Sequence, residues 1–375
     1  MQQGVVCGRK VGRESSKTIV IKMLIDYSFR RIDPRDFDWE RIEAAADSTV
    51  FHSRNWNDYV RRMGRKPLVI EVLSGENPAG YFVGARMWAG IRIVMAPMMG
   101  MGTYTQGLCM LEPVTKTERV EIYLQLVKWL YSMRLADYVQ ICDWQMRTDV
   151  EDGIHGWTDP DLNAAGIHYN ARATYYLDTR KSEEELWAGL QYKSCKYPIN
   201  KARKNGLRAT FVEKEDDIDS FVDQHFEHIR DMLARKNSRG LACQRKGNIS
   251  ALCHALYPDK GLLVQVIGAD ENGRDIPMAS GIFASGKAGS SFFTAGSYHK
   301  YMNQSPNELL VWEAVRRLHE RGAGDLIFGG TAHYKKKFNP QLAVIPVMVF
   351  SRFRFLTTVY AKFKRLYARW VSKSK

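Results

Sequence analysis

Two stretches of this chain present the same order of elements. Residues 68–97 (LVIEVLSGENPAGYFVGARMWAGIRIVMAP) read as a strand, an Asn-Pro turn and two further strands, followed by a helical stretch near 115–134 and the strand YVQICDW. Residues 262–296 (LLVQVIGADENGRDIPMASGIFASGKAGSSFFTAG) repeat that order, with a helix at 305–321 and then DLIFGG. A three-strand, helix, strand unit present twice with little residue identity predicts two related α/β units packed side by side. The cleft between such halves is where chemistry is expected.

A chain of 375 residues with 45% hydrophobic content can bury two cores of roughly 150 residues each. The net charge of +14 suits a polyanionic partner such as nucleic acid, a phosphorylated metabolite or an anionic membrane face. It equally suits a surface kept soluble by lysine and arginine. Cysteines at 7, 109, 142, 195, 243 and 253 are widely spaced, with no C-x-x-C pair and no Cys/His cluster of metal-ligand spacing. That pattern fits a reduced, metal-free, cytoplasmic protein. The uncharged run Ile93 to Leu111 contains Gly100, Gly102, Gly107, Thr103, Thr105 and Gln106, which makes it a poor membrane span and a better buried strand followed by a loop. No signal peptide is evident in the first twenty residues, and Met23 is an alternative start.

The expected division is a disordered or mis-started segment 1–22, a first domain 23–170, a second domain 171–350 and a tail 351–375. Asp36 or Asp38 caps a short helix through WERIEAAAD, and FHSRNWNDYVRRMG gives another, ended by Gly64 and Pro67. Ser182 and Glu185 form a capping box for SEEELWAGL. A long helix at 217–236 carries the apolar stripe Phe221, Val222, Phe226, Ile229 and Leu233. The tail sets Phe353, Leu356, Tyr360, Phe363, Tyr367 and Trp370 on one helical face, with Arg354, Lys362, Lys364, Arg365 and Arg369 between them. Such a basic amphipathic helix can lie on an anionic membrane or dock on the body of the protein.

No G-x-S-x-G, phosphate-binding glycine loop or H-E-x-x-H is present, which favours reactions carried by positioning and electrostatics. Three segments stand out. In 192–206, Lys193, Lys196, Lys201, Arg203 and Lys204 occur with no acidic residue among them. At helical spacing Lys193, Lys196, Asn200 and Arg203 share a face suited to phosphate or carboxylate, although Pro198 is expected to break or kink the helix. Ser305-Pro306-Asn307-Glu308 reads as a capped helix start with Pro in the first turn and Glu at N3, whose free N–H groups can meet an anion. Gly329 and Gly330 follow a strand and permit close approach of backbone to ligand, ahead of His333-Tyr334-Lys335-Lys336-Lys337-Phe338. If 334–338 is extended, Lys335 and Lys337 point one way and Lys336 the other.

The run W-A-G-L, Y-K, N-K-A-R-K-N-G, then S-P-N-E-L-L-V-W-E, F-G-G and K-K-K-F resembles the FemAB-type acyltransferases, over most of residues 50–340. The resemblance implies α/β architecture with two tandem GNAT-like domains, each a mixed, mostly antiparallel sheet flanked by helices. It implies transfer of an acyl or aminoacyl group from a thioester or tRNA ester to an amine. Carried over to this sequence, Lys337 stands near the transferred carbonyl as an oxyanion-stabilising cation, with Lys335 as fallback. Lys193, Lys196, Asn200, Arg203, Trp312, Glu313, Gly329, Gly330, His333, Tyr334 and Phe338 stand by the substrate. Asp143, Glu313 and His333 are candidates for the base. The Q-x-x-G-x-G/A loop of simple GNAT enzymes is missing, and Asn303-Gln304-Ser305-Pro306 stands where it is expected.

The expected function is a cytoplasmic acyltransferase, peripheral to the membrane if the tail binds it. It moves an acyl group from acyl-CoA or an acyl carrier protein, without a metal, to an amine of a cell-envelope precursor of polysaccharide or peptidoglycan. The alternatives are an aminoacyl-tRNA-dependent peptidoglycan-bridge enzyme, with tRNA as partner, and a non-catalytic membrane-associated binding protein of the same fold.

Overall fold

The computed structural model describes residues 26–96, 107–151, 153–235 and 245–353. The segment 1–22, most of the loop read after Ile93 and nearly all of the 351–375 tail lie outside them. The first half contains β1 (Tyr27–Ile32), α1 (Trp39–Ala44), α2 (Arg54–Arg62), β2 (Lys66–Ser74), β3 (Asn77–Trp88), β4 (Arg92–Ala96), β5 (Leu108–Met110), α3 (Lys116–Ser132), β6 (Tyr138–Cys142), β7 (Thr148–Asp149) and α4 (Pro160–Ala164). Then follow β8 (His168–Leu177), α5 (Glu183–Gly189), α6 (Tyr197–Lys204), β9 (Arg208–Phe211), α7 (Ile218–Arg235), α8 (Lys246–Leu256), β10 (Gly261–Ala269), β11 (Asp275–Ala284), β12 (Gly289–Ser297), α9 (Pro306–Glu320), β13 (Asp325–Ile327) and β14 (Gln341–Ser351).

The repeat seen in the sequence is a repeat of topology. In the first half β2, β3 and β4 form an antiparallel meander, α3 crosses over, and β6 returns parallel to β4. In the second half β10, β11 and β12 do the same, and α9 brings β13 back parallel to β12. Local chemistry sets the turns. Gly75, with φ +63, turns β2 into β3. Between β10 and β11 the Asp270 carboxylate accepts from the backbone N–H groups of Asn272 and Arg274. Asp38 caps α1 by accepting from Arg41 N, and the Ser182–Glu185 box caps α5.

All the described strands join one sheet, ordered β1-β2-β3-β4-β6-β14-β8-β13-β12-β11-β10-β9, with β5 on β3 and β7 on β14. The centre is an exchange. β8, which follows the first half in sequence, pairs with β13 of the second, whereas β14, from the end of the second half, pairs with β6 of the first. β8 and β14 then pair with each other over nine residues. The expected boundaries at 170/171 and 350/351 fall inside these two strands.

Each half has its own apolar core, and a third core joins them. In it Val50, Phe51, Trp56 and Tyr59 pack with Phe221, Leu252, Leu256 and Ile282. Trp56 lies parallel to Phe293 at 5.9 Å, and Ala288 N donates to Ser48 O at 2.6 Å. Each fully buried aliphatic or aromatic side chain here contributes about 1.5–3 kcal/mol, so the two halves are held as one body. Among the described residues no helix is long and apolar enough to cross a membrane.

Candidate active site

The backbone leaves β13 by a tight path. Phe328 N donates to Tyr175 O at 2.9 Å and Gly330 N to Thr174 Oγ1 at 3.0 Å. Gly329 and Gly330 take φ of +69 and +127, values that glycine alone adopts readily. The chain then winds into a 3-10 helix over His333–Phe338, which corrects the extended reading of 334–338. With three residues per turn, consecutive lysines point in three directions. Lys335 turns inward, is buried, and donates through Nζ to Phe328 O at 2.6 Å. Its side chain points away from the cleft lining, toward the strand end it leaves. Lys336 is exposed in the cleft between the halves. Lys337 forms an ion pair with Glu308 in the first turn of α9. Phe338 is buried against Phe328, Tyr334 is half-exposed, and His333 is exposed.

The basic segment 192–204 is one continuous winding despite Pro198. Residues Tyr192–Lys196 form a π turn that runs directly into α6. Proline has no N–H to give to the carbonyl four residues back, and the wider turn makes room for its ring. The expected single face of cations is lost as a result. Lys196 Nζ donates to Ala188 O at 2.9 Å and Lys201 Nζ to Asn303 O at 2.9 Å. Arg203 pairs with Glu313 at 2.8 Å, Glu313 with Arg316 at 2.9 Å, and Arg316 with Glu183 at 2.8 Å. Lys193 and Asn200 remain exposed. Trp312 is a core residue, edge-on to Trp187 with ring centroids 5.0 Å apart.

Between the halves lies an open cleft of about 1100 Å³, lined by Asp149 and Glu151 from the first half and by Tyr175, Gln191, His333 and Lys336 from the second. Gln191 N donates to Lys337 O at 3.0 Å, which ties the cleft wall to the lysine behind it. Of the sequence-predicted residues the structure brings His333 and the Lys337 segment to this cleft. Arg203, Glu313 and Trp312 belong to the ion chain and the core instead. Of the three base candidates, Asp143 is buried between Arg119 Nη1 at 3.0 Å and the Tyr123 hydroxyl at 2.6 Å, and Glu313 is held by two arginines. Only His333 lines the cleft. Cys195 lies close enough to feel the Lys337 and Glu308 charges, and burial pushes its thiol up to about 12, which rules it out as a nucleophile near neutral pH.

Sequence reasoning missed the Glu308–Lys337 pair because Glu308 read as a helix cap. It missed Asp149, Glu151, Tyr175 and Gln191 because these meet only through the strand exchange. Among the described residues no group of three or more His, Cys, Asp or Glu is placed to hold a metal.

Residues 191–336 match the family described as acetyltransferase (GNAT) domain. That stretch lies in the second half of the chain, whose strand and helix order the first half repeats. FemX, at 12% identity over 85% of this chain and 96% of its own, has the same overall fold with a TM-score of 0.64. A tandem GNAT protein from the clavulanic acid biosynthesis pathway gives a TM-score of 0.46 at 10% identity, over 88% of this chain and 99% of its own. L-PGS from Bacillus licheniformis gives 0.47 at 11% identity, over 88% and 97%. The likeness to FemX is one of fold. No curated protein matches the chain in sequence.

Proposed function

We propose that this protein transfers an acyl group from a thioester, acyl-CoA or an acyl carrier protein, to an amine of a cell-envelope precursor bound in the cleft between the halves. The observation that carries the reading is Lys337: a cation fixed by Glu308 and tied by its own carbonyl to the cleft-lining Gln191. The neutral amine attacks the thioester carbonyl, and the C–N bond forms as the carbonyl oxygen takes negative charge. Lys337 stabilises that oxyanion. His333, in the cleft lining, takes the proton lost by the amine. Collapse of the intermediate breaks the C–S bond, and the thiolate leaves and is protonated.

A second reading has aminoacyl-tRNA as donor. The net charge of +14 and the exposed Lys193 and Lys204 on the winding beside the cleft favour it. Both readings are tested by offering the purified protein labelled acetyl-CoA, longer acyl-CoAs and a charged tRNA pool with amino-sugar and peptide acceptors. Transfer from a thioester that is lost in Lys337→Ala supports the first reading, and transfer from tRNA alone supports the second. Absence of transfer from every donor, with ligand binding unchanged in Lys337→Ala, overturns both in favour of a binding protein of this fold.

A further inference from the structure

The inference rests on the acyl-transfer reading and adds a residue to it. The chain places the pattern Ser-x-x-Glu at two helix starts. At α5 the pattern closes as a reciprocal cap: Glu185 N donates to Ser182 Oγ at 3.2 Å and Ser182 N to Glu185 Oε2 at 2.9 Å. At α9 the same pattern stays open. Ser305 sits in the left-handed region with φ +63 and makes no side-chain cap bond, and Glu308 turns its carboxylate to Lys337. A positive φ at a non-glycine residue and a forgone cap both disfavour the helix start. An arrangement that gives up both for one ion pair is better explained by the lysine than by the helix.

The surroundings isolate that pair. The Lys337 and Glu308 side chains are 16% and 18% exposed, so their attraction is stronger than at an open surface while a path to solvent remains. The nearby Lys196 ammonium is committed to Ala188 O, and the Cys195 thiol is neutral. Residue 339 ends the 3-10 helix in a left-handed turn, and the Lys337 carbonyl is fixed by Gln191 N.

We propose that Glu308 is a positioning residue for Lys337: its carboxylate takes one ammonium N–H, fixes the direction of the side chain and leaves two N–H groups for a carbonyl oxygen that gains charge. Glu308 forms no bond to substrate in this role. The test uses the full chain and the variants Glu308→Gln, Glu308→Asp, Lys337→Ala and the double Glu308→Gln/Lys337→Ala. The readouts are kcat and KM for transfer, and the rate at which a small succinimidyl ester labels Lys337 at pH 8, followed by mass spectrometry.

Glu308→Gln is expected to raise labelling of Lys337 several-fold, because the flexible side chain is no longer held in the ion pair and its nitrogen reaches the reagent more freely. It lowers kcat by roughly 10- to 100-fold, the scale of a misplaced catalytic group, with KM for the donor little changed. Glu308→Asp restores part of kcat, and the double variant is no slower than Lys337→Ala. Labelling of Lys337 that is the same in Glu308→Gln as in the parent overturns the proposal, as does a double variant far slower than Lys337→Ala. Full kcat in Lys337→Ala sinks the acyl-transfer role of the lysine itself, while the labelling result still decides whether Glu308 holds it.

Discussion

Trp144 donates its indole N–H to Asp325 at 3.1 Å, so the end of β6 in the first half and the start of β13 in the second share one buried carboxylate. Arg147 and Arg180 complete its shell at 3.2 and 2.7 Å. Asp325→Asn keeps the shape and removes the charge that both guanidinium groups face. The expected cost is about 1–3 kcal/mol, measured by urea unfolding, and a smaller change would mean that the halves are held by the Trp56 core alone.

Acid should weaken the fold through histidine. Burial lowers His52 to about 4, His225 to about 3 and His228 to about 4. The last two share Ser280, whose Oγ lies 2.8 Å from His225 Nδ1 and 2.7 Å from His228 Nδ1. His228 Nε2 lies 3.0 Å from Pro277 O, and a carbonyl only accepts. His228 therefore carries its proton on Nε2, its Nδ1 accepts from Ser280, and Ser280 accepts from His225 Nδ1. Below pH 6.5 the unfolded chain protonates these rings and the native state does not. Stability is thus full above pH 6.5 and falls as pH drops to about 4, by at most about 1.4 kcal/mol per pH unit for each ring. Carboxylates held low by arginine, such as Asp137 beside Arg92, lose their contribution only at lower pH. Unfolding free energies that stay level between pH 6.5 and 4.5 would contradict the neutral tautomers assigned here.

Arg119 is a buried ion of the first half. It bridges Asp47 at 2.5 Å and Asp143 at 3.0 Å and donates to Leu108 O at 3.2 Å. Arg119→Ala leaves two carboxylates near each other with little water, at an expected cost of about 3–5 kcal/mol. Asp143→Asn, which keeps most of the hydrogen bonds, should cost clearly less, and thermal melts of the two variants give the comparison.

The neighbouring lysines should separate stability from chemistry. Lys335→Met orphans the Phe328 carbonyl and is expected to lose about 1–2 kcal/mol of stability. Lys337→Ala leaves the part-buried Glu308 without its partner and should lose some stability too, but it alone should lose transfer, by about 10²–10³-fold. Calorimetry and a transfer assay on both variants check the division, and a Lys335→Met protein of parental stability would show that its buried bond contributes little.

Legibility in the sequence followed the range of the interaction. The meanders, α3, α9 and the Ser182–Glu185 cap are local, and residues 68–97, 262–296 and 182–185 announced them. The exchange of β8 and β14 was not legible, because pairing across about two hundred residues leaves no period in either strand. At the site, the glycines after β13 were readable as a close-approach turn. The direction of the lysines was open, since K-K-K-F fits a strand and a 3-10 helix equally well until Asn339 adopts its left-handed turn. Pro198 predicts a break or kink, whereas the winding continues through it, because a π turn that accommodates the ring has no sequence signature of its own.

The exchange at the centre of the sheet also orders events during synthesis. On a ribosome the first half emerges complete except for the partner of β6, and that partner, β14, begins only at Gln341. A nascent chain of some three hundred residues thus carries an unpaired strand edge open to other chains. Any product truncated before that strand should behave as an aggregation-prone fragment and not as a smaller folded protein.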